Sequence, residues 1–334
     1  MLEANDHPCL TIGITTFDRV DLLIETIESV RNQVFTDFKV LIANDNPDRK
    51  LDKKAIGIEN DDRFVVINHD LNLGEIETLN TLLDLAETEY FTWLSDDDLI
   101  HPLFFQEALA ALDRSHLSVA FYSSYSTGLM WEPDLEEIEI SSTLRTIDKF
   151  SFLSSYASRE IQLIGCYGIF RRSAILAAGG FLRLGSGFAP YSDTLIPILL
   201  SAHGDLVFSK NNFVFLRTHE DSVSNSSGEL RSYTSAQRDF IKVVNLFAEN
   251  FPKKQRARIF CDFFTWFSSD RAAVICRNPG FIRPLFLQIR CDIASLKSLD
   301  VLLFDKIRIL PWLLSRLILS ARTLGKAKIL GSRA

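Results

Sequence analysis

Short apolar runs alternate with amphipathic ones over the first 125 residues. Leu10–Thr15 (LTIGIT), Phe38–Ala43 (FKVLIA), Phe64–Asn68 (FVVIN), Tyr90–Leu94 (YFTWL) and Ser118–Tyr122 are brief and rich in β-branched or aromatic residues, the pattern of buried strands. Between them, Leu22–Arg31 sets Leu23, Ile27 and Val30 on one helical face. Ile76–Ala86 does the same with Ile76, Leu79, Leu83 and Ala86. Strand–helix–strand units of this size predict an α/β fold, Rossmann-like, with a mostly parallel sheet and helices on both faces. Such sheets bind ligands at the carboxyl ends of their strands, so those ends are where chemistry is sought.

Further along, Ser126–Asp148 is irregular and acidic and reads as a loop or hairpin. Helical spacing returns at Ser173–Ala178, stops at Gly179-Gly180 and resumes over Asp193–Ser201. After Tyr233 the chain is almost wholly helical, with basic residues set among Phe, Leu and Ile.

Composition narrows the class. The 334 residues, 47% hydrophobic and 24% charged, fit a globular protein with one large domain and an extension, or two domains. Met1–His7 carries Glu3 and Asp6 where a signal peptide needs basic and then apolar residues, and no run of 18 apolar residues predicts a spanning helix. Cys9, Cys166, Cys261, Cys276 and Cys291 are odd in number and form no C-x-x-C pair, which argues for free thiols in a reducing cytosol. From Phe251 onward there are 16 Lys and Arg against 5 Asp and Glu; the preceding part holds 20 against 38. An acidic body argues against nucleic acid as a ligand, and a basic tail calls for a partner of its own.

Four strand ends carry candidate chemistry. The first strand runs into Thr15-Thr16-Phe17-Asp18-Arg19, polar groups with a ring able to cover a flat ligand; a capped strand–helix turn would look the same. The second ends in Asn44-Asp45-Asn46-Pro47, where a carboxylate can meet a base or ribose, or simply make a turn. The fourth runs into Ser95-Asp96-Asp97-Asp98, where three adjacent carboxylates repel one another unless donors or a cation, most simply a hard divalent ion, compensate; an acidic surface turn would look the same. Phe213–Leu216 leads to Arg217 and His219 and then a Ser/Asn-rich loop suited to closing over an anion. Ser192-Asp193 opens a helix behind Gly185-Ser186-Gly187-Phe188, as a cap or as a general base.

In order and spacing, residues 10–225 resemble the family 2 glycosyltransferases. The stretch from Leu10 to Asp48 is similar to the family's opening strand, P-T-Y-N-R turn and D-D strand end. The stretch from Arg63 to Pro102 resembles its N-x-G turn (Asn72, Gly74), Asn80 and D-x-D motif, and GCYGIFRRSAILAAGGF its acceptor-side segment. The resemblance implies a GT-A fold over 8–228, with a nucleotide-binding half of about 8–125 and an acceptor half of about 126–228. A basic helical extension, 229–334, follows. It implies a nucleotide-sugar donor, UDP-sugar first, held by Thr15, Phe17, Arg19, Asp45, Asn72, Gly74, Asp96, Arg217 and His219. It further implies Mg2+ or Mn2+ on Asp97 and Asp98, and Asp193 as base in a single inverting displacement onto a saccharide or lipid-linked acceptor. The setting is cell-surface polysaccharide or glycolipid synthesis in the cytoplasm. Thr15, Phe17, Asp18, Asn44, Ser95 and Ser192 depart from the family pattern, the last beside the expected base.

A nucleotidyltransferase would want a glycine-rich basic loop after the first strand, and a dinucleotide dehydrogenase G-x-G-x-x-G; ITTFDR has neither. The alternative from another class is an inactive GT-A-like binding or scaffold module. In the tail, Val301–Arg322 mixes Leu, Ile, Phe and Trp with Lys306, Arg308, Arg316 and Arg322. It suits peripheral contact with an anionic membrane, or else packing on the catalytic domain or in a homodimer.

Overall fold

The computed structural model describes residues 8–131, 144–185, 189–219, 230–249 and 251–276. The membrane-seeking or packing segment Val301–Arg322, the glycine-rich 186–188 and the Ser/Asn-rich 222–228 lie outside the described residues.

The elements in order are β1 (Leu10–Thr16), α1 (Val20–Arg31), β2 (Phe38–Asn44), β3 (Phe64–Asn68), α2 (Glu75–Leu85), β4 (Tyr90–Ser95), β5 (Leu99–Ile100), α3 (Phe104–Asp113) and β6 (Ser118–Gly128). There follow β7 (Leu144–Ile147), α4 (Lys149–Ala157), β8 (Ile169–Arg171), α5 (Arg172–Ala177), α6 (Ser192–Ser201), β9 (Asp205–Arg217), α7 (Leu230–Ala248) and α8 (Lys253–Cys276).

Contacts divide the chain into two units. The first is Met1–Phe152, Gln162–Arg183 and Tyr191–Asn225; the second is Leu153–Ile161, Leu184–Pro190 and Ser226–Ala334. Of the expected catalytic stretch 8–228, the segments 153–161, 184–190 and 226–228 fall in the second unit.

In the first unit one sheet runs in the order β3-β2-β1-β4-β8-β6-β9-β5, with β7 on β9. β3, β2, β1 and β4 are mutually parallel. β8 then pairs antiparallel with both β4 and β6, while β6 and β9 are parallel. Every residue of β1 is buried, as a strand covered on both faces must be, whereas β3 at the edge is only half-buried. Gly13 makes this cover possible: a Cβ there would lie 2.9 Å from the Phe91 ring and 3.2 Å from Leu82 of α2. α1 turns Leu23, Thr26, Ile27 and Val30 inward at helical spacing. The order 3-2-1-4 places its reversal at β1, so the ends of β1 and β4 face the crevice where such sheets take ligands.

Three elements differ from expectation. β6 extends to Gly128 and β7 begins at Leu144, so strand occupies both ends of the stretch expected as loop or hairpin, 132–143 lying outside the described residues. β9 is a 13-residue strand where only Phe213–Leu216 stood out.

The described part of the second unit is mainly helical and rich in aromatic contacts. Phe240 of α7 meets Phe263 and Phe267 of α8 edge-on at 5.0 and 4.8 Å, and Arg159 lies over the Trp266 ring at 4.9 Å. Among the described residues no helix is long and apolar enough to cross a membrane.

Candidate active site

The carboxylates after β4 have three different environments. Arg19, at the start of α1, reaches both Asp96 and Asp97: Nη2 lies 2.5 Å from Asp96 Oδ1 and Nη1 donates to Asp97 Oδ2 at 2.6 Å. His219 Nε2 stands 3.0 Å from that same Asp97 oxygen. Burial alone would raise the Asp97 carboxyl, but Arg19, the Ser95 hydroxyl and His219 outweigh it and hold Asp97 below the usual carboxylate range. Asp96 is wholly buried, and there burial outweighs the pull of Arg19 and the Thr16 hydroxyl, so its carboxyl sits high.

Asp98 is turned into the protein. The Tyr167 hydroxyl donates a short bond to Oδ2, and the Arg217 N–H donates to Oδ1 at 2.9 Å. Burial and then the Asp97 charge push its carboxyl up to about 7, against those two donors. Each oxygen of Asp98, expected as a metal ligand, thus already accepts one hydrogen bond from the protein.

Arg217 also differs from expectation. Its side chain is buried, and Nε donates to the Asp97 carbonyl, Nη1 to Glu25 Oε2 at 2.6 Å, and Nη2 to the Leu22 carbonyl and the Thr26 hydroxyl at 2.9 and 3.1 Å. The Thr26 hydroxyl in turn lies 3.0 and 2.9 Å from the Asp96 and Asp98 carbonyls. The guanidinium therefore fastens the acidic turn to α1, with the Glu25 carboxylate as its anion.

At the end of β2, Asp45 is engaged as well. Oδ1 accepts the Leu73 N–H at 2.8 Å and lies 3.0 Å from His69 Nδ1, while Oδ2 accepts the Gly74 N–H at 2.8 Å. Asn72 Oδ1 accepts the same Gly74 N–H at 3.0 Å, and Gly74 has φ +85°, a conformation that favours glycine. Asn72 and Gly74, expected at the ligand, thus build a turn that grips Asp45. Thr15 is buried beside Ser95 in the β1–β4 pairing, and Phe17 leaves a ring 48% exposed, open for stacking.

Asp193 lies in the first turn of α6, behind Tyr191 in the left-handed region at φ 67°, and it is not the cap. The helix start is packed so closely that a Cβ on Gly165 would lie 1.8 Å from the Asp193 carbonyl. Its carboxylate has the Thr194 hydroxyl at 3.3 Å, and burial raises it against the Thr194 N–H and hydroxyl.

Sequence reading missed Glu75. It opens α2 directly after Gly74, exposed to solvent yet enclosed by protein on its other sides. That enclosure, then the charges of Asp193, Asp97 and Asp96, push its carboxyl up to about 7, with Arg19 pulling down. Asp193 and the acidic turn therefore share one electrostatic neighbourhood. His69 was missed too, at the end of β3, the strand end not searched for chemistry; the signal for Glu75 was an acid immediately after an N-x-G turn.

Among the described residues no three His, Cys, Asp or Glu side chains are arranged to hold a metal by themselves. Asp97 and His219 nevertheless present a carboxylate and an imidazole side by side, a donor set that fits Mg2+ or Mn2+ completed by phosphate oxygens and water.

The family model described as "Glycosyl transferase family 2" matches residues 11–177, from β1 through α5. The chain belongs to glycosyltransferase family 2. A GalNAc(5)-diNAcBac-PP-undecaprenol beta-1,3-glucosyltransferase of Campylobacter jejuni is 31% identical over 93 residues, 27% of this chain and 30% of that one. A glycosyltransferase of Methanocaldococcus jannaschii is 30% identical over 105 residues, 30% of this chain and 36% of that one. The family 2 chain thus aligns with about a third of the length of these curated relatives. Two solved structures share the fold at 14% identity. Staphylococcus aureus TarS 1-349 in complex with UDP has a TM-score of 0.64 over 97% of this chain and 92% of that one. The mannosyltransferase PcManGT of Pyrobaculum calidifontis, in complex with GDP-Man and Mn2+, has a TM-score of 0.53 over 95% and 87%. The fold is GT-A, with a mainly parallel central half-sheet and, among the described residues, the helices α7 and α8 toward the C-terminus.

Proposed function

We propose that the chain transfers a sugar from a nucleotide-diphosphate sugar, a UDP-sugar in the first instance, to an acceptor hydroxyl with inversion at the anomeric carbon. The setting we assign is polysaccharide or glycolipid synthesis at the cell surface, on a saccharide or lipid-linked acceptor, carried out from the cytoplasmic side. One observation carries the reading: at the end of β4 the Asp97 carboxylate stands 3.0 Å from the His219 imidazole, a cation-holding pair in the crevice where such a sheet takes its ligand. The UDP complex of TarS and the GDP-Man and Mn2+ complex of PcManGT support it.

Asp97 and His219 are the residues to hold Mg2+ or Mn2+, which supplies charge neutralisation for a departing nucleoside diphosphate. Asp193 accepts the proton of the acceptor hydroxyl as that oxygen attacks; its raised carboxyl makes it a better base than an ordinary aspartate. Thr15 and the open Phe17 ring line the nucleotide, and Asp45 serves it by ordering the Asn72–Gly74 turn. Asp98 and Arg217 act through the acidic turn as positioning residues.

The test is a panel of nucleotide-sugars with Mn2+ or Mg2+, read as released nucleoside diphosphate with and without an added acceptor. Turnover of a UDP-sugar that stops in excess EDTA is the expected result. No turnover and no binding of any nucleotide-sugar overturns the reading.

A further inference from the structure

We propose that Arg19 is a resident counter-ion, seated on Asp97 where a divalent cation would bind, and that it is released to the diphosphate when cation and nucleotide enter together. This rests on the nucleotide-sugar reading above.

The geometry is specific to one oxygen. Asp97 Oδ2 already receives Arg19 Nη1 at 2.6 Å and has His219 Nε2 at 3.0 Å, while the other arm of the guanidinium rests on Asp96 at 2.5 Å. A Mg2+ or Mn2+ ion on that oxygen would bring two positive charges beside a guanidinium that cannot lose its own. Arg19 and His219 already fill the two lone pairs of Oδ2, so a cation entering there displaces the partner whose charge it repels. Arg19 has to leave.

Charge decides what must come with the cation. Two carboxylates and one guanidinium sum to one negative charge around a wholly buried Asp96. A bare divalent ion would turn that into one net positive charge, in surroundings where unlike and like charges count heavily. A cation arriving with the two charges of a diphosphate leaves the total unchanged. The freed guanidinium then has a phosphate to clasp, a pairing its two-armed fork suits.

Arg19 is free to make that move, and Arg217 is not. Among the described residues the Arg19 side chain pairs only with Asp96 and Asp97, and it keeps 21% of its surface in solvent. It stands at the start of α1 without a side-chain capping bond, just after Asp18 in the left-handed region at φ 61°. Arg217 is fixed to two backbone carbonyls, Glu25 and Thr26.

Free Mn2+ followed by electron paramagnetic resonance, on the full chain with and without UDP, tests this without any turnover. The wild type is expected to bind Mn2+ weakly alone and at least ~10-fold tighter with UDP, and Arg19→Met to bind Mn2+ alone at least ~10-fold tighter than wild type, with a smaller gain from UDP. Arg19→Lys keeps the charge without the two-armed clasp and falls between them, which serves if Arg19→Met melts early. Arg19 variants whose Mn2+ affinity equals wild type, in a chain that does bind UDP with Mn2+, overturn this inference alone. A wild type that binds neither UDP nor Mn2+ takes the functional reading down with it.

Discussion

Asp97 and Asp193, the carboxylates proposed to hold the cation and to take the acceptor proton, are built in opposite ways. Asp97 is clasped by Arg19, Ser95 and His219 and held in its charged form below the ordinary range. Asp193 and its neighbour Glu75 stand in the first turns of α6 and α2, where helix N-termini favour negative charge, yet both carboxyls are raised. Burial, joined at Glu75 by like charges, wins over the helix ends because little else bonds to them. A displacement needs this pairing of opposites: a fixed charge to hold a cation at one end, and a carboxyl able to take a proton at the other.

Removing the proton acceptor should have the largest effect. Asp193→Asn is expected to lower transfer by about 10³-fold, with donor affinity by calorimetry nearly unchanged. Lost donor binding would make Asp193 a structural residue and erase the contrast. Asp97→Asn breaks the other side, and a fall of about 10²-fold together with lost Mn2+ binding is expected. Full activity in excess EDTA would show that the clasped carboxylate holds no cation.

Asp98 sharpens the comparison, because it lies next to Asp97 and does different work. An amide there can still accept the Arg217 N–H and donate to the Tyr167 oxygen, and it imitates a carboxyl that already holds its proton near pH 7. Asp98→Asn should therefore keep activity within ~10-fold of wild type, while Asp98→Ala leaves two buried donors unpaired and costs about 1–3 kcal/mol of stability in denaturant melts. Equal, severe losses of activity in Asp97→Asn and Asp98→Asn, with stability intact, would restore Asp98 as a ligand.

The sheet's first half was legible because each strand is a short apolar run ending in polar residues, and the acidic turn follows Phe91-Thr92-Trp93-Leu94 without a gap. β9 was mostly hidden by Lys210-Asn211-Asn212, which reads as a turn but sits where the β6–β9 pairing shifts register. α3 was hidden behind Pro102, since FFQEALAALD buries seven of its ten positions and shows no clean polar face. The roles of Arg217 and Asp45 depend on partners the sequence does not join. Glu25 and Leu22 are more than 190 positions from Arg217, and backbone N–H groups of a turn leave no mark in the letters. A basic residue after a strand suggests an anion; only the fold shows that its anion is already inside.

The smallest effect tests whether the acceptor-side carboxyls are raised in part by each other. Glu75 is lifted from 4.5 to about 7, with the charge of Asp193 the largest influence after burial, and Asp193 is raised as well. A general base works only when deprotonated, so kcat/KM should rise with pH along a limb above the ordinary carboxylate range. The charge on Asp193 lifts Glu75, so Glu75 still holds its proton when Asp193 gives up its own, and burial is what raises Asp193. Glu75→Gln imitates that protonated carboxyl, and the limb should stay within ~0.3 unit of its wild-type place. A limb that moves to lower pH by about 1 unit would show that Glu75 ionises first and keeps the base protonated.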